Sequence, residues 1–261
     1  MIKQNKYIER LGQERYNNEN CLMKIIDYKN AHNITVEFQD KYKARVHTEY
    51  NNFLLGQVKN PYYTSVYGVG IVGNKYSISV GRKLNKEYKM WFSMIQRCFD
   101  EEHKIKHPTY RNVTCCDEWL LFDNFYEWLH NQENFDKWYD NERWAIDKDI
   151  LIKGSKIYSP ETCCLVPMNV NNLFTKRDVV RGGLPIGVVA HGKGFRAQWN
   201  NPLTNKREFS STYYNVEKAF KVYKAQKEKI IKQVAETEYK NGNITKECYE
   251  AMMNYEVEIT D

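Results

Sequence analysis

Residues 144–174 read WAIDKDILIKGSKIYSPETCCLVPMNVNNLF and carry the side chains best suited to chemistry. Asp147, Lys148 and Asp149 end a short β-like run. A polar loop with Gly154 and Ser155 follows, then Tyr158-Ser159-Pro160-Glu161-Thr162-Cys163, then a helix-forming stretch with Asn169, Asn171 and Asn172. A strand, a loop and a helix in that order can gather carboxylate and amide oxygens around one divalent ion, and hard ions such as Mg²⁺ prefer such oxygens. The chemistry such an ion serves is phosphodiester hydrolysis. It acts as Lewis acid on the phosphate and steadies the leaving oxygen, while a separate base activates water. Asn169 and Asn172 lie three residues apart and so share one helix face.

The stretch resembles the ββα-metal core of the HNH nuclease superfamily, in the variant common in phage proteins. There Leu-Asp-Arg-Ile-Asp, a turn, Tyr-Ser-Pro-Glu-Asn-Cys and an Asn-bearing helix follow one another. The resemblance implies Asp147 and Asn172 as ligands of one Mg²⁺, and Asp147, Lys148, Asp149 and Asn172 as the catalytic set. Lys148 stands where catalytic members carry a histidine base. Between two carboxylates a lysine is expected to stay protonated, which suits phosphate binding or charge neutralisation better than proton abstraction. His107 and His130 are the substitutes the chain offers for the base. Thr162 replaces the loop Asn, and the loop from Asp149 to Tyr158 is longer than in the common pattern. The alternative is a degenerate ββα unit kept for DNA binding or folding.

The cysteines extend the resemblance. Phage HNH-like proteins show Arg-Cys after an aromatic helix, Val-Cys-x-x-Trp after a Tyr-bearing loop and Asn-Cys in the motif loop. Arg97-Cys98, Thr114-Cys115-Cys116-Asp117-Glu118-Trp119 and Thr162-Cys163 take those positions here. Thiolates of Cys98, Cys116 and Cys163 with His107 or His103 would make a tetrahedral Zn²⁺ set. Plain burial is the preferred reading, because no Cys-x-x-Cys occurs and free cysteines are among the most buried residues. Seven cysteines in a chain without a secretion signal are not expected to form disulfides. The adjacent pairs Cys115–Cys116 and Cys163–Cys164, if on strands, each send one sulfur inward and one outward.

Positioning these residues calls for a mixed α+β chain of 261 residues, long enough for several small domains. Residues 1–60 hold LMKIIDY, NITVEFQ and KARVHTEY, three runs with partial apolar alternation, which predict a small SH3-like or Tudor-like β-barrel. Lys41, Lys43 and Arg45 alternate with apolar positions there, as a docking strand would. Residues 61–86 read as a linker or irregular hairpin, because their glycines lack the Gly-Lys-Ser/Thr of a phosphate loop. Residues 87–180 form the ββα region, with helical stripes at Tyr88, Trp91, Met94, Ile95 and Cys98 and again at Trp119, Phe122, Phe125, Tyr126, Leu129 and His130. Residues 237–261 contain a last amphipathic helix capped by Asn243 or Thr245, with packing against the core as its expected role.

Residues 183–236 give three strand-like pieces, GLPIGVVAH, GFRAQWNN and KREFSSTYY, then a long helix from about Val216. They resemble the Apetala/ethylene-response-factor type of DNA-binding domain. The resemblance implies a three-stranded sheet in the major groove with the helix packed behind. Two-residue periodicity sets Arg196 and Gln198 on one strand face and Phe195, Ala197 and Trp199 on the other. Arginine pairs bidentately with guanine and glutamine with adenine. Lys193, Lys206 and Arg207 stand near turns, where phosphates would pass.

A net charge of +6 is compatible with nucleic acid. No apolar run reaches the roughly 18 residues of a membrane span, and the N-terminus lacks the apolar core of a signal peptide. The expectation is a cytoplasmic phage or mobile-element protein in a bacterial host. It would bind double-stranded DNA and resemble an HNH endonuclease that nicks or cleaves it with Mg²⁺. The alternatives are a catalytically inactive DNA-binding regulator and an anti-defence inhibitor acting by protein binding.

Overall fold

The computed structural model describes residues 9–141, 143–175, 183–259 and 261. The ends of two expected segments, residues 1–8 and 176–180, lie outside them. The protein is mixed α+β, and no described helix is long and apolar enough to cross a membrane. It divides into two compact units: 1–111 with 117–127, and 112–116 with 128–261.

The first unit begins with an antiparallel meander of β1 (Glu14–Tyr16), β2 (Leu22–Asn30), β3 (Asn33–Phe38) and β4 (Arg45–Thr48), in that order. Alternation buries Met23 and Ile25 of β2 and Ile34, Val36 and Phe38 of β3. A bulge between Ile25 and Asp27 shifts the β2 register, so Tyr28 rather than Asp27 turns inward. Helix α1 (Tyr50–Leu54) adds Phe53 to this core. Among the described residues no sheet closes into a barrel, which corrects the expected SH3-like barrel. The outer strands have three and four residues, too short to tilt and pair with each other.

Residues 61–86, expected as a linker or irregular hairpin, are partly strand. They include the two-residue strands β5 (Ser79–Val80) and β6 (Lys83–Leu84), paired as a hairpin. Buried Asp123 accepts hydrogen bonds from the backbone N–H groups of Asn74, Lys75 and Tyr76. Gly73 sits so close to this carboxylate that a Cβ would lie 2.1 Å from an oxygen. Helix α2 (Lys86–Phe99) is capped by Asn85 and buries Tyr88, Trp91, Met94, Ile95 and Cys98, the stripe its spacing predicts. Helix α3 (Glu101–Lys106) follows, and α4 spans Phe122–His130.

In the second unit, the two-residue strand β7 (Thr114–Cys115) pairs in parallel with β9 (Ile157–Tyr158). Helix α5 (Phe135–Asp140) precedes β8 (Trp144–Asp147), which pairs antiparallel with β10 (Cys164–Pro167). Helix α6 (Met168–Phe174) leaves directly from β10. Strands β11 (Val188–His191), β12 (Gly194–Asn201) and β13 (Lys206–Phe209) form an antiparallel sheet in sequence order. Helix α7 (Val216–Lys240), capped by Asn215, packs on it, and α8 (Lys246–Met253) is capped by Thr245.

One hydrophobic core joins these parts. Val166, Val170 and Leu173 of the hairpin and α6 meet Val188 and Ala197 of the sheet, Ile230 and Val234 of α7, and Met252 of α8. The C-terminal helix is therefore core material, as expected. Gly187 holds a close approach: with φ +69°, any Cβ would lie 2.0 Å from the Tyr223 ring.

Candidate nucleic-acid interface

The sheet β11–β13 is the first region with a chemical face. Val188 pairs with Ala197 and Ala190 with Phe195, so these residues share the side that packs on α7. The opposite side carries Arg196 beside Val189, Gln198 beside Phe209, and Asn200 beside Arg207. Period-two alternation thus separates Arg196 and Gln198 from Phe195, Ala197 and Trp199, as the sequence indicates.

The Arg196 guanidinium carbon lies 4.0 Å from the Phe209 ring centroid. Its Nε is buried and has no hydrogen-bond partner among the described residues. Stacking on an aromatic face orients a guanidinium without using its outer donors. Arg207 Nε donates to Asn200 Oδ1 at 3.4 Å, which ties neighbouring strands through side chains of the same face. His191, exposed at the end of β11, shares a hydrogen bond of 3.0 Å with Thr212.

Lys193 is exposed in the two-residue turn between β11 and β12, where Gly192 takes φ +59°. Lys206 and Arg207 are both exposed but do not share a face. Lys206 pairs with Asn201 and Arg207 with Asn200, so Lys206 has the parity of the α7 side. Adjacent strand residues point apart. On that side, Glu208 accepts from the Trp199 indole at 2.8 Å and the Asn201 amide at 2.9 Å. These bonds, Trp199's first, hold its carboxyl below the ordinary range. Asn200 and Phe209 belong to the outward face and were missed in the sequence. Only the β12–β13 register brings them there.

The hairpin and helix β8–β10–α6 form the second region. Asp147 ends β8 opposite Cys164 and is 7% exposed. Its Oδ1 accepts from the backbone N–H of Asp149 at 2.7 Å and of Ile150 at 2.9 Å. Burial raises its pKa to about 6, against the lowering pull of these amides. Lys148 is also buried, and its Nζ donates to Asp149 Oδ2 at 2.8 Å and to the Ser155 carbonyl at 2.7 Å. The ammonium therefore clamps the loop from Asp149 to Ser155. Thr162 braces the far end: its hydroxyl donates to the Ile157 carbonyl at 2.6 Å and accepts from Ser159 N at 3.1 Å.

Asn172 is exposed on α6 and lines a cleft of about 740 Å³ with Asn169, Arg143, Trp144 and Met168. Asn169 donates to Glu238 Oε1 at 2.7 Å.

Of the thiols named for zinc, Cys98 is buried in α2 and Cys116 is half-buried. Cys163 is buried, and its thiol is pushed up to about 12, chiefly by burial. His107 is exposed beside His103, with ring centroids 4.5 Å apart. His130 is exposed at the end of α4. Among the described residues no three His, Cys, Asp or Glu side chains converge as a metal cluster. Cys163 and Cys164 are both buried rather than one in and one out. Cys163 belongs to a turn, bonding Ser159 O through its own N–H, and only Cys164 is on the strand.

Comparison with family models, with curated proteins and with solved structures found no match.

Proposed function

We propose that this chain is a double-stranded DNA-binding protein of the phage or mobile-element kind. It lays the outward face of β11–β13 against the duplex, in the manner of the Apetala/ethylene-response-factor type of domain. One observation carries the reading: Arg196, Gln198 and Arg207 stand together on the sheet face that α7 does not cover. Arg196 and Gln198 suit base edges, and Arg207 and Lys193 suit phosphates. Fluorescence anisotropy with a labelled duplex tests it. Binding is expected to weaken steeply as salt rises, and Arg196→Ala is expected to relax base preference and cost about 1–3 kcal/mol. Equal binding by wild type and Arg196→Ala would remove the reading.

The hairpin-then-helix order of β8, β10 and α6 favours a second reading, an HNH-like unit. As a Mg²⁺ site its residues fit poorly. Asp147 is buried and commits one oxygen to its own loop, Lys148 sets an ammonium in that loop, and Asn172 opens onto a separate cleft. A hard cation needs several oxygens exposed to one point. The regulator form of the proposal, binding DNA without cutting it, follows. Supercoiled plasmid is expected to survive Mg²⁺ or Mn²⁺ intact. Conversion to open circle that Asp147→Ala abolishes would restore the nuclease.

A further inference from the structure

The cleft beside α6 is distinct from the sheet face, and nothing in the proposed DNA binding uses it. Its volume of about 740 Å³ lies in the ordinary range for small-molecule sites. Its lining combines three chemistries. Trp144, Pro167 and Met168 supply an apolar side. Asn169 and Asn172 supply amides, and Arg143 and Asp140 supply exposed charges.

The hydrogen bonds show which groups are committed. Glu238 spends one carboxylate oxygen on the Asn169 amide and the other on the Asn243 amide, each at 2.7 Å. Its charge is thereby turned to holding two side chains. Because Asn169 donates to Glu238, its carbonyl oxygen remains as an acceptor. Lys137 is held by the Asn241 carbonyl and by Asn243. Among the described residues, the Asn172 amide and the Arg143 guanidinium have no side-chain partner. Among the described residues, the cleft therefore offers a cationic fork that no side chain engages, one amide that both donates and accepts, and a fixed acceptor, all beside an apolar surface.

We infer that this cleft binds a single nucleotide. The flat base meets the side of Trp144 and Met168, its polar edge pairs with Asn172 and Asn169, and its phosphate meets Arg143. An amide pairs with a base edge through one donor and one acceptor, and a guanidinium grips phosphate oxygens through parallel N–H bonds. Asp140 suits a sugar hydroxyl. The nucleotide can come free from solution or unstacked from a single strand, and the same contacts serve both.

Calorimetric titration of the full chain with each nucleoside 5′-monophosphate, the matching nucleosides, inorganic phosphate and short single-stranded trinucleotides tests the inference. At least one monophosphate is expected to bind with a Kd below about 1 mM and about tenfold tighter than its nucleoside. Arg143→Ala is expected to remove the advantage of nucleotide over nucleoside. Asn172→Ala is expected to level the preference among bases. Both residues are exposed, so unchanged thermal unfolding serves as the control. A trinucleotide that binds more tightly than the monophosphate identifies a strand as the source, and equal binding identifies the free nucleotide. Three results would overturn the inference: no nucleotide binding, phosphate binding as tightly as every nucleotide, or both variants behaving as wild type.

Discussion

The sheet β11–β13 and the hairpin-helix β8–β10–α6 use the same parts and rest on one core, yet they treat polar residues in opposite ways. In the sheet, strands joined by tight turns leave Arg196, Gln198 and Arg207 on the face away from α7. In the hairpin, residues 148–163 separate β8 from β10, and this long connection closes on itself through Lys148, Asp147 and Thr162. Loop length decides the outcome. A short exposed turn leaves few backbone groups to satisfy, whereas a long, partly buried connection must find partners for more amides and carbonyls. Asp147 and Lys148 are among those partners.

Lys148→Ala breaks the comparison most severely. It removes the ammonium that joins Asp149 to the Ser155 carbonyl, and a loss of about 2–4 kcal/mol in unfolding free energy is expected by denaturant titration. Duplex affinity of the protein that remains folded stays unchanged. The double variant Arg196→Ala with Arg207→Ala does the reverse. Stability is nearly kept, while duplex affinity falls about a hundredfold, since each arginine contributes about 1–3 kcal/mol.

A smaller effect comes from Asp147→Asn. Asparagine keeps an oxygen for the Asp149 and Ile150 amides and removes a buried charge. The wild-type carboxyl titrates near 6 when folded, above the ordinary value of about 4 in an unfolded chain. The stability it contributes is full below about pH 4 and is lost as pH climbs through about 6. The variant is therefore expected to exceed wild type by about 1–2 kcal/mol at pH 8, with the gain vanishing at pH 4. A variant less stable at pH 8 would show that the carboxylate itself is needed. The smallest effect belongs to Thr162→Val, which removes the hydroxyl that holds the Ile157 carbonyl and the Ser159 N–H and is expected to cost about 1 kcal/mol in thermal unfolding.

Periodicity made much of this legible. The stripe from Tyr88 to Cys98 and the alternation from Phe195 to Trp199 each follow from spacing alone, because one side of each element must meet apolar neighbours. Strand β1 was hidden. All three of its residues are exposed and carry no apolar signal. The bulge that turns Tyr28 inward, and the opposite parity of Lys206 and Arg207, depend on pairing register, which a single strand does not encode. The candidate site was half legible. Residue types around Asp147 announced metal chemistry, but their burial is set by a core that also draws on α7 and α8 from the far end of the chain.

The most direct test of the difference between the regions is backbone hydrogen exchange with and without a bound DNA duplex, in the presence of Mg²⁺. New protection is expected across Val188–Phe209, centred on β12 and the Lys193 turn, with residues 148–163 unchanged. Protection confined to residues 148–163 and α6, with the sheet unaffected, would contradict the account.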